Sequence, residues 1–273
     1  MTDAAYGLAG AAAAALRAID PADKTARTRA MAQDWSAGRI AEIGRADPPA
    51  RPGRPERPIL RPAREMAKRG RGQSTTSRIA LLHAIAHIEL NAVDLACDLI
   101  ARFATLGLPR AFYDDWVSVA EDEARHFGLL ADRLAALGAG YGDLPAHDGL
   151  WQAARATAHD LLARLAVVPL VLEARGLDVT PAMIANLRRA GDDDSAAILE
   201  IIYREEIRHV SIGRKWFVGL CRERGEEPET AFHRLVRGNF RGMLKAPFNE
   251  AARAEAGLGP EFYRPLSDDA AAS

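Results

Sequence analysis

Asp122-Glu123-Ala124-Arg125-His126 and Glu205-Glu206-Ile207-Arg208-His209 are two versions of one string, acid-Glu-x-Arg-His. Both lie in sequence of helical period, where a Glu and a His three residues apart share a face. One such pair arises easily by chance. Here each pair is preceded by a Glu set in an apolar stripe: Glu89 lies 34 residues before Glu123, and Glu173 lies 33 before Glu206. The copies are offset by 84 residues between the lone glutamates and 83 between the paired ones. The chain therefore reads as a helix pair that occurs twice.

The surrounding periodicity supports helices throughout. A stripe through Ile79, Leu82, Ile85, Ala86, Glu89, Val93, Ala96 and Ile100 predicts a helix over about 78–105, with Ser74 to Ser77 as N-caps. Trp116, Val119, Glu123, His126, Leu130 and Leu134 predict a second over about 110–137. A third is expected over about 149–175, kinked at Pro169 and ended by Gly176, then a short helix from Thr180 to Ala190. The fourth runs from about 192 to 224 through Ile198, Leu199, Ile202, Glu206, His209, Val210, Gly213 and Phe217. No strand pattern of useful length appears. The expected fold is all-α: a four-helix bundle with extra N-terminal helices, a Pro/Arg-rich strap and C-terminal helical additions. Its segments are an N-terminal helical part over 1–46, a linker or strap over 47–75, the bundle over 76–226, and a further helix with an irregular tail over 227–273. The N-terminal helices, about 4–19 and 22–44, read as surface helices packed on the body. Phe248, Phe262 and Tyr263 would let the tail pack down before Asp268 to Ser273 frays.

A bundle core can aim Glu89, Glu123, His126, Glu173, Glu206 and His209 at one point. Four carboxylates and two imidazoles form an oxygen/nitrogen set that suits two divalent first-row metals, iron first and manganese second. Four carboxylates also balance the charge of two divalent ions, and an apolar core would not tolerate them unpaired. A Glu on two helices with Glu-x-x-His on the other two is the ligand pattern of ferritin-like di-iron and di-manganese proteins.

Bulk properties narrow the setting. With 36 Lys and Arg against 37 Asp and Glu, there is no global field to recruit nucleic acid or a membrane. Cys97 and Cys221 form neither a metal spacing nor a disulfide framework, which suggests a reducing, cytoplasmic setting. No apolar run approaches a membrane span on this reading. The strap concentrates charge: Arg51, Arg54, Arg57, Arg61, Arg64, Lys68, Arg69 and Arg71 face only Glu56 and Glu65 between residues 51 and 72. It could contact RNA, through Arg51, Arg54, Arg57 and Arg61 above all. The blander reading, favoured because no aromatic residue is interleaved for base stacking, ties these arginines to carboxylates of the body. His83 and His87 have a metal-capable spacing but a different face from Glu89, and read as polar contacts to the strap or loops. Tyr203, one turn before Glu206, is either a partner of the metal site or a buried hydrogen-bonding tyrosine.

The string Asp122-Glu123-Ala124-Arg125-His126 resembles the Asp-Glu-x-Arg-His box of di-iron monooxygenases. The stretches from His83 to Leu90, Tyr141 to His147, Leu172 to Asp178 and Leu244 to Asn249 resemble an uncharacterised bacterial ferritin-like family, a domain of unknown function in the di-iron carboxylate superfamily. The likeness covers the chain from about residue 75 to 265, and a more distant likeness leads to the di-iron tRNA hydroxylases. It implies that the acids before the paired glutamates orient metal-bound rings through their far nitrogens. Asp122 would support His209, and Glu205, which stands where the box has Asp, would support His126. Arg125 and Arg208 would neutralise these acids, unless all four residues form plain surface ion pairs. The function expected is an oxygen-activating di-iron hydroxylase or oxidase, with a small-molecule substrate and an external electron donor, as a monomer or dimer without membrane contact. A ferroxidase or iron-handling protein and an RNA-modifying hydroxylase are the alternatives.

Overall fold

A computed structural model of the chain describes residues 7–66 and 74–267. Lys68, Arg69 and Arg71 of the strap, and the end from Asp268 to Ser273, lie outside the described residues. The chain divides into two compact units, Met1–Trp151 and Gln152–Ser273. Each helix pair of the repeated pattern falls in a different unit. Among the described residues there is no strand, only isolated bridges between Leu60 and Ala146 and between Leu244 and Ser267.

Unit 1 is built on α1 (Leu8–Arg17), α2 (Pro21–Ser36), α3 (Thr75–Arg102) and α4 (Arg110–Ala136). Helix α3 packs along α4, α1 against α2 and α3, and α2 against α4. Ser74 and Ser77 form a reciprocal cap at the start of α3, and Asp20 accepts the Asp23 amide at the start of α2. The placement of α1 corrects the sequence expectation of a surface helix. Leu8, Ala9, Ala12, Ala13, Ala15 and Leu16 are all wholly buried. Only Ala14 and Arg17 of the helix are exposed, so it gives water a narrow edge rather than a face. Its first amides, which have no partner within the helix, donate to the carbonyls of Glu42 and Ile43. Helix α2 stops at Ser36, short of the expected end, where Gly38 turns the chain with φ 72°.

Within an 18-residue window α3 reaches a mean hydropathy of 1.4, long and apolar enough to cross a membrane by length and composition, contrary to the sequence expectation. In the fold, 78% of that window is buried, as in a core helix.

The strap lies across unit 1. Gly53 donates to Leu16 O, Arg61 to Ala146 O and Trp151 Nε1 to Ala50 O. Arg51 pairs with Asp148, and Arg54 reaches Asn91 Oδ1 and Asp94. Those two arginines are tied to the body, while Arg57 and Arg61 are exposed. Beneath the strap lies a charge network that the sequence reading missed. Lys24 Nζ contacts Asp94 Oδ1 at 2.5 Å, and both side chains are almost wholly buried. One signal existed: Lys24 shares a helical stripe with Thr28, Met31 and Trp35, all buried.

After α5 (Gly149–Ala156), unit 2 contains α6 (Leu161–Val167), a π-helical segment Val168–Glu173, α7 (Ala174–Arg189), α8 (Asp193–Glu223) and α9 (Pro228–Asn239). Short helices α10 (Glu250–Glu255) and α11 (Pro260–Tyr263) follow. The expected single helix over 149–175 is thus broken before Leu161, where Asp160 caps the new start. Its end is also revised, because the helix runs on through Gly176 and Pro181 to Arg189. Proline at 181 removes the donor that Leu177 O would normally receive. Asn249 Nδ2 donates to that carbonyl instead, at 3.1 Å, so the helix continues. The tail packs as its aromatics suggest, with Phe262 edge-on to Phe232 and Phe248 against Tyr263.

Candidate metal centre

In unit 1, Glu89 on α3 meets Glu123 and His126 on α4. One ligand atom from each lies within 4.8 Å of the others. His126 Nδ1 is 3.0 Å from Glu89 Oε2 and 3.4 Å from Glu123 Oε2. All three side chains are buried, Glu123 and His126 completely. Burial lowers the basicity of the His126 ring, but the hydrogen bonds and charges of Glu123 and Glu89 outweigh it and push the pKa up to about 11. Two carboxylates gathered on one imidazole in an apolar core form a cation site by charge and by donor type. This cluster could hold a metal ion.

Unit 2 repeats the local geometry. His209 Nδ1 is 3.4 Å from Glu206 Oε1, the separation also found between His126 and Glu123. His209 is fully buried and the Glu206 side chain nearly so. Both follow from the three-residue offset on a helix. Glu173 stands at the last position of the π segment, half-buried. A π turn is wider than an α turn and re-aims the residues at its end. Pro169 lies inside the segment and supplies no amide to an α-helical ladder. Gly213, one turn beyond His209, permits the contact with it. A Cβ there would stand 2.4 Å from Pro169 Cβ. Gly213→Ala is therefore expected to push the π segment off α8, to cost about 1–3 kcal/mol, and to weaken metal uptake if Glu173 is a ligand. Equal denaturation midpoints for wild type and variant would refute the close approach.

Of the supporting residues, Arg125 donates to Asp122 Oδ1 at 2.9 Å, so this acid is neutralised from its own helix. Glu205 is half-buried and Arg208 exposed on α8. Tyr203 OH accepts from Asn249 Nδ2 at 2.9 Å, which ties it to the tail. His83 and His87 are loop contacts. His83 Nε2 accepts from the Gly142 amide at 3.0 Å. His87 lies 2.8 Å from Tyr141 OH through Nδ1 and 3.1 Å from His147 O through Nε2. Asn91 Nδ2 also lies 3.1 Å from His87 Nε2, so the ring is held between loop and helix partners on both nitrogens. Burial lowers the pKa of His87 to about 4. The thiols of Cys97 and Cys221 are raised to about 12 and about 11, chiefly by burial, and are unreactive at neutral pH.

Comparison with known proteins adds a family. Over residues 17–264 the chain matches the family described as "Protein of unknown function (DUF455)". It is 42% identical over 209 residues to a protein of Haemophilus influenzae described as uncharacterized, covering 75% of this chain and 72% of that relative. No solved structure matches it. A match that takes in both acid-Glu-x-Arg-His strings, together with this relative, establishes that the chain belongs to the DUF455 family.

Proposed function

We propose that the protein is a ferritin-like dimetal carboxylate protein, with iron as the metal, that uses dioxygen to oxidise an organic substrate. In this reading the ligands of two divalent ions are Glu89, Glu123, His126, Glu173, Glu206 and His209. The observation that carries it is the buried Glu89–Glu123–His126 cluster, whose Glu-x-x-His geometry recurs at Glu206 and His209. Its donor set suits Fe(II) or Mn(II) and offers no thiolate. When bound, a ferrous pair supplies the electrons and open coordination positions for dioxygen chemistry.

The chain's own residues bring charge balance, a ring nitrogen on each pair and a dry wall. Val93, Val119 and Leu130 stand one helical turn from Glu89, Glu123 and His126 respectively and are buried, which keeps the flanks of the cluster apolar. The proton shared by His126 Nδ1 with Glu89 and Glu123 must leave when a cation arrives, so metal uptake should release protons.

Anaerobic addition of ferrous iron, followed by oxygen, tests the reading. Two ions bound per chain and a transient or lasting absorbance change on oxygen exposure are expected. Bound iron with an unchanged spectrum would overturn it. Continued uptake and oxidation of many ions per chain would favour the iron-handling alternative. The RNA-modifying alternative is weakened by the engagement of Arg51 with Asp148 and of Arg54 with Asn91 and Asp94.

A further inference from the structure

We propose that unit 2 carries a binding pocket for a small organic anion, a carboxylate or phosphate monoester with an apolar tail. The proposal does not depend on the metal reading. Of the stretches Leu172 to Asp178 and Leu244 to Asn249, that reading uses Glu173 alone. In the fold the two stretches meet, and between them lies a cavity of ≈ 450 Å³. This is the size of a small-molecule site. Val171, Leu172, Leu244 and Phe248 give it apolar walls, and Met243 at 43% exposure leaves further apolar surface open.

The charges around the cavity decide the ligand. Arg175, Arg241, Lys245 and Arg253 line it, against the single carboxylate of Asp178. Asp178 is already spent. It accepts from Arg253 Nε and Nη2 at 2.8 Å each, from the Asn249 amide at 2.9 Å, and from Arg175 at 3.3 Å. Arg241 and Lys245 are exposed and form no ion pair among the described residues. Positive charge is therefore left over at the pocket.

Arg253 is the built part of the site. It is 2% exposed, and its guanidinium lies over the Phe248 and Tyr263 rings at 5.0 and 4.6 Å. Nε and Nη2 are occupied, the latter also by Ala174 O at 3.3 Å. Nη1 has no hydrogen-bond partner among the described residues. Burying a guanidinium donor without an acceptor is costly, and the charge it places at the pocket wall favours a carboxylate or phosphate head group. The rings fix its plane beforehand, so little ordering is required on binding.

Calorimetric titration of metal-free, full-length protein tests the proposal, with hexanoate, hexyl phosphate, hexylammonium and inorganic phosphate as probes. Hexanoate or hexyl phosphate should bind saturably at one site per chain, with hexylammonium at least about tenfold weaker. Which of the two anions binds more tightly assigns the head group. The double variant Arg241→Gln/Lys245→Gln changes only exposed, unpaired side chains and should keep the helical circular dichroism. It should lose about tenfold or more in affinity. No saturable binding of either organic anion, equal binding of hexylammonium, or unchanged affinity in the double variant would overturn the pocket's charge assignment. Inorganic phosphate binding as tightly as hexyl phosphate would overturn the apolar part. Because no metal is present, failure here leaves the dimetal reading intact, and failure of iron uptake leaves this one intact.

Discussion

Glu123→Ala is expected to abolish the metal-dependent gain in stability. An ion that binds only the folded chain, supplied at 100 times its dissociation constant, stabilises it by about 2.7 kcal/mol. For a chain of this size that corresponds to a rise in melting temperature of roughly 5–10 °C. Glu123 faces His126 and is wholly buried, so its removal takes a carboxylate from the centre of the unit 1 cluster. Glu121→Ala, on the exposed face of the same helix, is the control and should keep the full metal response. Thermal melts of both variants with and without Fe(II) or Mn(II) measure the difference. An undiminished shift in Glu123→Ala would remove Glu123 from the metal site.

Lys24→Met is expected to be the most damaging single change to folding, by a route unrelated to the metal. It leaves Asp94 buried without the ammonium at 2.5 Å, and breaking such a pair costs about 3–5 kcal/mol. The penalty should depend on pH. Burial raises the Asp94 carboxyl from 3.8 to about 6, with Lys24 and Arg54 pulling it down. Because the folded value lies above the unfolded one, the proton-linked contribution of Asp94 is present below 3.8 and is lost as pH rises through 6. Without Lys24 the folded pKa climbs further, and neutral Asp94 tolerates burial. Urea denaturation of the variant should therefore show a large loss at pH 8 and a smaller one at pH 5. The double variant Lys24→Met/Asp94→Leu should recover part of it, since the buried carboxylate is gone while Arg54 keeps only Asn91 as a partner. A loss of equal size at both pH values would show that Asp94 does not carry the effect.

The Lys24–Asp94 pair also marks where reading the chain alone falls short. Lys24 could be noticed as a cation on an apolar stripe, but its partner stands 70 residues away and no local pattern points to it. The strap shows the same limit. Its arginines could be read as an RNA surface or as anchors to carboxylates, and only the docking of residues 50–61 onto α1 and the loop before α5 shows Arg51 and Arg54 tied down.

What the amino-acid sequence determined by itself is whatever depends on neighbours within about one helical turn. The long helices, their caps at Ser74 and Asp192, and the shared faces of Glu123 with His126 and of Glu206 with His209 all belong here. Backbone geometry alone brings residues three apart together. Only the tertiary structure decided that α1 is core, that α7 survives Pro181, and that Pro169 opens a π turn rather than a simple kink. Each outcome rests on a partner far along the chain: the carbonyls of Glu42 and Ile43 for α1, Asn249 for Leu177 O, and Gly213 for Pro169. Freed or unmatched backbone groups must be satisfied somewhere, and local sequence does not say where.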